Sequence, residues 1–174
     1  PANYRLIALL NVDYKILANA WSQKLALWLP AAIGLDQTGF VPGRDIATNI
    51  TLLRDLAAQS GAQASKNFSA AILFLAFAKA YETVEHDFLW RALEARGLPK
   101  SFVLNVQLLY RGASATLQIN GRAAAPLLPG RGVRQGCLLS SPLFLLVLEC
   151  LLDVLREDEG LKGVLLKGRP SRVV

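Results

Sequence analysis

Metal and nucleophile chemistry finds few suitable residues in this chain. Its two cysteines, Cys137 and Cys150, form no Cys-x-x-Cys pair and lie away from the single histidine, His86. They read as reduced, buried thiols, and His86 as a helix-start residue. Cations and glycines are better placed. Arg122, Arg131 and Arg134 flank an Asn120-Gly121 turn and the loop GRGVRQG. Gly132 and Gly136 in that loop let backbone approach a ligand closely, and arginines beside it suit phosphates. Lys162, Lys167, Arg169 and Arg172 form a looser basic tail, either a solvated surface or a second phosphate contact. The net charge of +6 suits a phosphate-bearing partner without requiring one.

The 174 residues are enough for one domain or a piece of a larger one. With 53% apolar and 18% charged residues, disorder is excluded and a core is affordable. The longest apolar stretch, Leu138 to Leu152, contains Ser140, Ser141 and Glu149 and is too short to span a bilayer. No signal-peptide layout opens the chain, so an intracellular protein without a membrane segment is expected. The sequence has no methionine and starts at Pro1, so it reads as a fragment or the ordered part of a longer protein.

The elements that must position these residues form an α+β mixture. Tyr4 to Leu10 reads as a strand, with Asn11 capping a helix whose Ile16, Ala20, Leu25 and Trp28 recur until Pro30. Gly34 to Arg44 is a shaped loop. Ile46, Ile50, Leu53 and Ala57 share one face of a second helix that Gly61 stops, and 60–67 reads as a hinge. Ala70 to Phe77 is a continuous apolar run of the buried-strand kind. Helices follow over Glu85 to Arg96 and Lys100 to Arg111. Asn120-Gly121 predicts a type I′ hairpin. Pro142 opens an apolar helix to about Arg156, packed under a sheet, and Leu161 to Leu166 reads as a last strand.

Four stretches, in order and in spacing, resemble the reverse transcriptases of non-LTR retrotransposons: NYRLIALLNVDYKILA, DQTGFVPGR with DIATNI, AAILFLAFAKAYETVEHDFLW, and RGVRQGCLLSSPLFLLVLE. The resemblance spans nearly the whole chain. It implies a partial right-hand fingers and palm fold with a mostly antiparallel palm sheet packed on helices. Residues 1–67 would be fingers-like and 68–174 a partial palm. The implied activity is RNA-templated DNA synthesis on two magnesium ions, which need carboxylates from adjacent strands.

The family strand reads Leu-Asp-Phe-x-Lys-Ala-Phe-Asp; here it is Leu75, Ala76, Phe77, Ala78, Lys79, Ala80, Tyr81 and Glu82. Ala76 stands where the resemblance places the catalytic aspartate, and alanine offers a metal no oxygen. Glu82 lies beyond the strand, Glu85 and Asp87 belong to the next helix, and no Asp-Asp pair occurs. No intact catalytic residue and no bound metal or cofactor is therefore expected. The resemblance further implies nucleotide contacts for Arg5, Tyr81, Gln135 and Gly136. Arg5 is otherwise a surface arginine and Tyr81 a core aromatic. Arg44, Arg122, Arg131 and Arg134 would meet the nucleic-acid backbone. Leu6 stands where the family has proline, and Cys137-Leu138-Leu139-Ser140-Ser141-Pro142 departs from Cys-Pro-Leu-Ser-Pro.

Two readings follow: a defective or truncated reverse-transcriptase domain, or a remnant kept as a structural or RNA-binding part of a larger assembly. Both have RNA or an RNA/DNA hybrid as partner. In both, a protein partner or further segments would cover apolar surface from Leu143 to Leu155.

Overall fold

The computed structural model describes residues 7–63 and 72–161. Helix α1, Val12–Ala32, starts at Asn11, which holds the extended cap conformation but makes no side-chain cap bond. Pro30 does not end the helix, which runs two residues further. A proline so near the end removes one hydrogen bond, and the Ile33 N–H still closes onto the Leu29 carbonyl at 3.0 Å. Helix α2, Ile46–Gln63, is opened by Asp45, whose Oδ1 accepts the Ala47 N–H at 2.9 Å. It passes through Gly61 instead of stopping there, so 60–63 are helical; 64–67 of the expected hinge lie outside the described residues. Ile46 and Ile50, expected on a packed face, are exposed.

Helices α3, His86–Ala95, and α4, Lys100–Tyr110, fall where the pattern put them, separated by Gly97 and Pro99. Helix α5, Ser140–Glu157, crosses both α3 and α1. Leu89 and Leu93 on α3 meet Leu143 and Leu146 on α5, joined by Val103 and Val106 of α4 and by Leu25 and Leu29 of α1. Residues from both expected segments thus share one hydrophobic core. Each fully buried leucine contributes about 1.5–3 kcal/mol. The apolar face expected to need covering is covered from within: Leu143, Leu145 and Leu146 are buried, while Leu151 and Val154 remain outside.

The sheet is smaller than expected. Strands β1, Gln118–Ile119, and β2, Arg122–Ala123, pair antiparallel across Asn120 and Gly121, whose positive φ values of 49° and 76° fit the type I′ turn. This hairpin is exposed, and α5 packs on helices, not beneath it. Residues 72–77 form no strand, and Leu73 and Phe74 are 79% exposed. A central strand needs neighbours that take up both rows of its backbone groups, and among the described residues none pairs with this run. Residues 7–10 are likewise irregular. Residues 4–6 of the first expected strand, Ala70 and Ala71 of the second, and nearly all of Leu161 to Leu166 lie outside the described residues, as does the basic tail.

Candidate functional site

The loop 131–137 is built onto the segment that follows Ala76. The Gly132 N–H donates to the Val84 carbonyl and the Val133 N–H to the Tyr81 carbonyl, both at 2.7 Å. Gly132 has φ +91°, and a Cβ there would sit 2.9 Å from the Glu82 carbonyl oxygen, so only glycine allows this approach. His86 Nε2 lies 3.0 Å from the Gly132 carbonyl and holds the other side of the loop. Further along, Gln135 Nε2 donates to Glu82 Oε1 at 2.8 Å, and the Gln135 carbonyl accepts the Ala8 N–H at 2.9 Å. Gly136 packs against Ala8, whose carbonyl oxygen would be 3.0 Å from an added Cβ.

Tyr81 is half-buried. Its ring stacks on Phe144 with centroids 4.7 Å apart, and its hydroxyl lies 3.3 Å from Ser141 Oγ. Three of the expected nucleotide contacts, Tyr81, Gln135 and Gly136, therefore meet in one place. Arg5 lies outside the described residues. Lys79, two residues before Tyr81, has the positive φ of 50° that side-chain-bearing residues rarely hold. The partners Glu82, Ser141, Phe144 and Ala8 carry no local sequence signal; each is set by a contact between distant segments.

The four arginines expected on nucleic acid divide into two kinds. Arg122 is exposed on β2, and Arg131 is exposed beside Glu85 at 3.5 Å, a surface pair worth little. Arg44 instead turns inward. Its Nη1 donates to the carbonyls of Gly34 and Gln37, and its Nη2 to those of Pro30 and Ile33. Arg134 lies between two tyrosine rings, 4.5 Å from the Tyr14 centroid and 5.0 Å from that of Tyr110, and donates to the Leu109 carbonyl. Both are fold-holding cations in this structure. Burial, aided by Cys137, pushes the Tyr14 phenol up.

An ion network unforeseen from the sequence holds the loop that carries Arg44. Glu149, buried on α5, accepts the Gly34 N–H at 2.7 Å and Arg156 Nη1 at 2.6 Å. Arg156 also binds Asp36 and Asp153, and Arg96 binds Asp153. Burial opposes the Arg156 charge, but its bonds to Asp36 and Glu149 outweigh this and raise its pKa. Glu149, the one acid within the apolar stretch Leu138 to Leu152, was the available signal, since a buried carboxylate needs a partner.

No group of three His, Cys, Asp or Glu residues able to hold a metal occurs among the described residues. Ala76 offers no oxygen, Glu82 is bonded to Gln135, and Glu85 faces Arg131. These residues do not fit a two-metal centre.

Against known proteins, the family "Reverse transcriptase (RNA-dependent DNA polymerase)" matches residues 1–165. The chain belongs to the reverse transcriptase family. It is 41% identical over 99% of its length to the transposon TX1 uncharacterized 149 kDa protein of Xenopus laevis. It is 34% identical over 93% of its length to the Pol polyprotein of the type-2 retrotransposable element R2DM of Drosophila melanogaster. The corresponding type-1 R2 polyprotein of Nasonia vitripennis is 28% identical over 92% of the chain. The chain spans 13% to 15% of these relatives' lengths. The non-LTR resemblance carried by the four blocks is thereby shown. Among the described residues, no helix of this reverse-transcriptase segment is long and apolar enough to cross a membrane.

Proposed function

We propose that this chain is a fingers and partial-palm segment of a non-LTR reverse transcriptase that keeps a nucleic-acid-binding surface and has lost nucleotidyl transfer. Ala76 carries the proposal: the position from which the family draws its first metal-binding carboxylate has no oxygen. The neighbouring acids do not replace it: Glu82 and Glu85 have no third acid, Cys or His grouped with them among the described residues. The grouping of Tyr81, Gln135 and Gly136 supports a surviving nucleotide contact. Exposed Arg122 and Arg131 support a contact with an RNA or RNA/DNA backbone.

Primer extension with magnesium tests the loss. The comparison is this chain against an Ala76→Asp version continued through an Asp-Asp hairpin. Only the latter is expected to extend a primer; extension by the unmodified chain overturns the proposal.

The exposed apolar run from Ile72 to Phe77 favours a second reading, a structural or RNA-binding part of a larger assembly. Analytical ultracentrifugation separates the two. A monomer at all working concentrations removes the support that this run lends to the assembly role.

A further inference from the structure

Phe40 is held in a conformation that its own chain does not explain. Its φ is +56°, a region unfavourable for a bulky residue, yet its side chain is 70% exposed and gains little from the core. Thr38 and Val41, on either side, are buried. The loop is fixed around them by the four Arg44 bonds to carbonyls, by Glu149 on the Gly34 N–H, by Arg156 on Asp36 and by Asn49 on the Asp36 carbonyl. Strain of this kind persists only where the surroundings over-determine the backbone. The result is a rigid loop that turns one aromatic ring outward. Gly39 precedes the ring and Gly43 follows Pro42, so neither glycine adds a side chain beside it.

Resting on the reading that this chain binds nucleic acid, we propose that Phe40 is a stacking platform for a nucleobase of a bound RNA strand. A flat, exposed ring matches the face of a base, and every base has such a face, so the contact is independent of sequence. The family match, to RNA-dependent DNA polymerases, makes an RNA strand the occupant to test. A protein-binding anchor would be expected within a well-packed ring of neighbours that excludes water. Phe40 has a glycine before it and two inward-facing residues near it.

The test is fluorescence anisotropy of this chain with a labelled single-stranded oligoribonucleotide and with the same backbone made abasic. The chain is expected to bind the intact strand about tenfold more tightly than the abasic one. Phe40→Gly relieves the backbone strain, so its thermal midpoint should rise while its preference for the intact strand disappears and its binding to the abasic strand stays unchanged. Phe40→Trp should keep the preference. Equal binding of both strands by the unmodified chain, or an unchanged preference in Phe40→Gly, overturns the platform and leaves the wider reading standing. Self-association that Phe40→Gly abolishes, without any base preference, reassigns the ring to a protein contact and overturns it too. Binding to neither strand removes both the platform and the reading beneath it.

Discussion

Glu149 and Gly34 lie 115 positions apart in sequence and are joined by a 2.7 Å hydrogen bond from the Gly34 N–H to the Glu149 carboxylate. The same carboxylate oxygen accepts Arg156, which reaches on to Asp36 in the loop. One buried acid thus ties two of the four family-like blocks together. Glu149→Ala should destabilise the chain by about 2–3 kcal/mol, because it leaves the Gly34 N–H and Arg156 short of a partner. A urea titration measures the loss. Arg156→Ala alone should cost a similar amount, and the double variant much less than the sum. Additive losses would show that the two residues do not act as a unit.

Arginine position decides the second prediction. Arg44 spends both terminal nitrogens on carbonyl groups, whereas Arg122 stands exposed on β2. Arg44→Lys should lower the thermal midpoint and speed hydrogen exchange in 33–44, since an ammonium cannot reproduce the planar fork. Its salt dependence of RNA binding should match that of the unmodified chain. Arg122→Ala should reverse the pattern, leaving stability unchanged and reducing the slope of log K against log salt by about 0.7 for a single strand. A reduced slope in Arg44→Lys would mean that its guanidinium reaches phosphate after all.

Gly132 offers a sharper steric test. An added Cβ there meets the Glu82 carbonyl oxygen at 2.9 Å, while one at Gly112, also at positive φ, meets nothing within 4 Å. Gly112→Ala should cost only the left-handed backbone penalty, roughly 1–2 kcal/mol. Gly132→Ala should cost more and loosen the Gln135 to Glu82 bond. Equal losses in chemical denaturation would show that the loop yields freely at Glu82.

Local punctuation made α3, α4 and the hairpin legible: Gly97 and Pro99 mark helix ends, and Asn120-Gly121 dictates its own turn. Residues 72–77 form no strand because an apolar pattern records what a strand could bury, not whether a neighbour is present to pair with it. The meeting of Tyr81, Gln135 and Gly136 followed from family spacing, but their supports Glu82, Phe144 and Ala8 did not. Those contacts arise from chain reversals that no short window encodes. The resemblance puts Arg44 and Arg134 against a nucleic-acid backbone. Carbonyl clusters and paired tyrosines exist only after folding, so their inward roles were hidden. Glu149 was readable in part: as the one acid between Leu138 and Leu152 it announced a buried partner, though not which one.

Tyr110 ties stability to alkaline pH. Burial pushes its phenol up to about 12, with Cys137 adding to the rise and Ser140 and Arg134 pulling against it. Its ordinary value is 10.0, so the folded chain holds this proton more tightly than the unfolded chain does. Below pH 10 both states are protonated and the full stability is present. Above it the unfolded state ionises first, and stability should fall by about 1.4 kcal/mol per pH unit until the folded phenol also ionises. Tyr14, likewise raised by burial, should steepen the decline. Tyr110→Phe keeps a ring for Arg134 and His86 but has no proton to lose, so its thermal midpoint should decline less between pH 10 and 12. Unfolding curves collected across that range, alongside phenolate absorbance, provide the measurement. Parallel declines in the two proteins would mean that Tyr110 ionises as readily in the folded state as in the unfolded one.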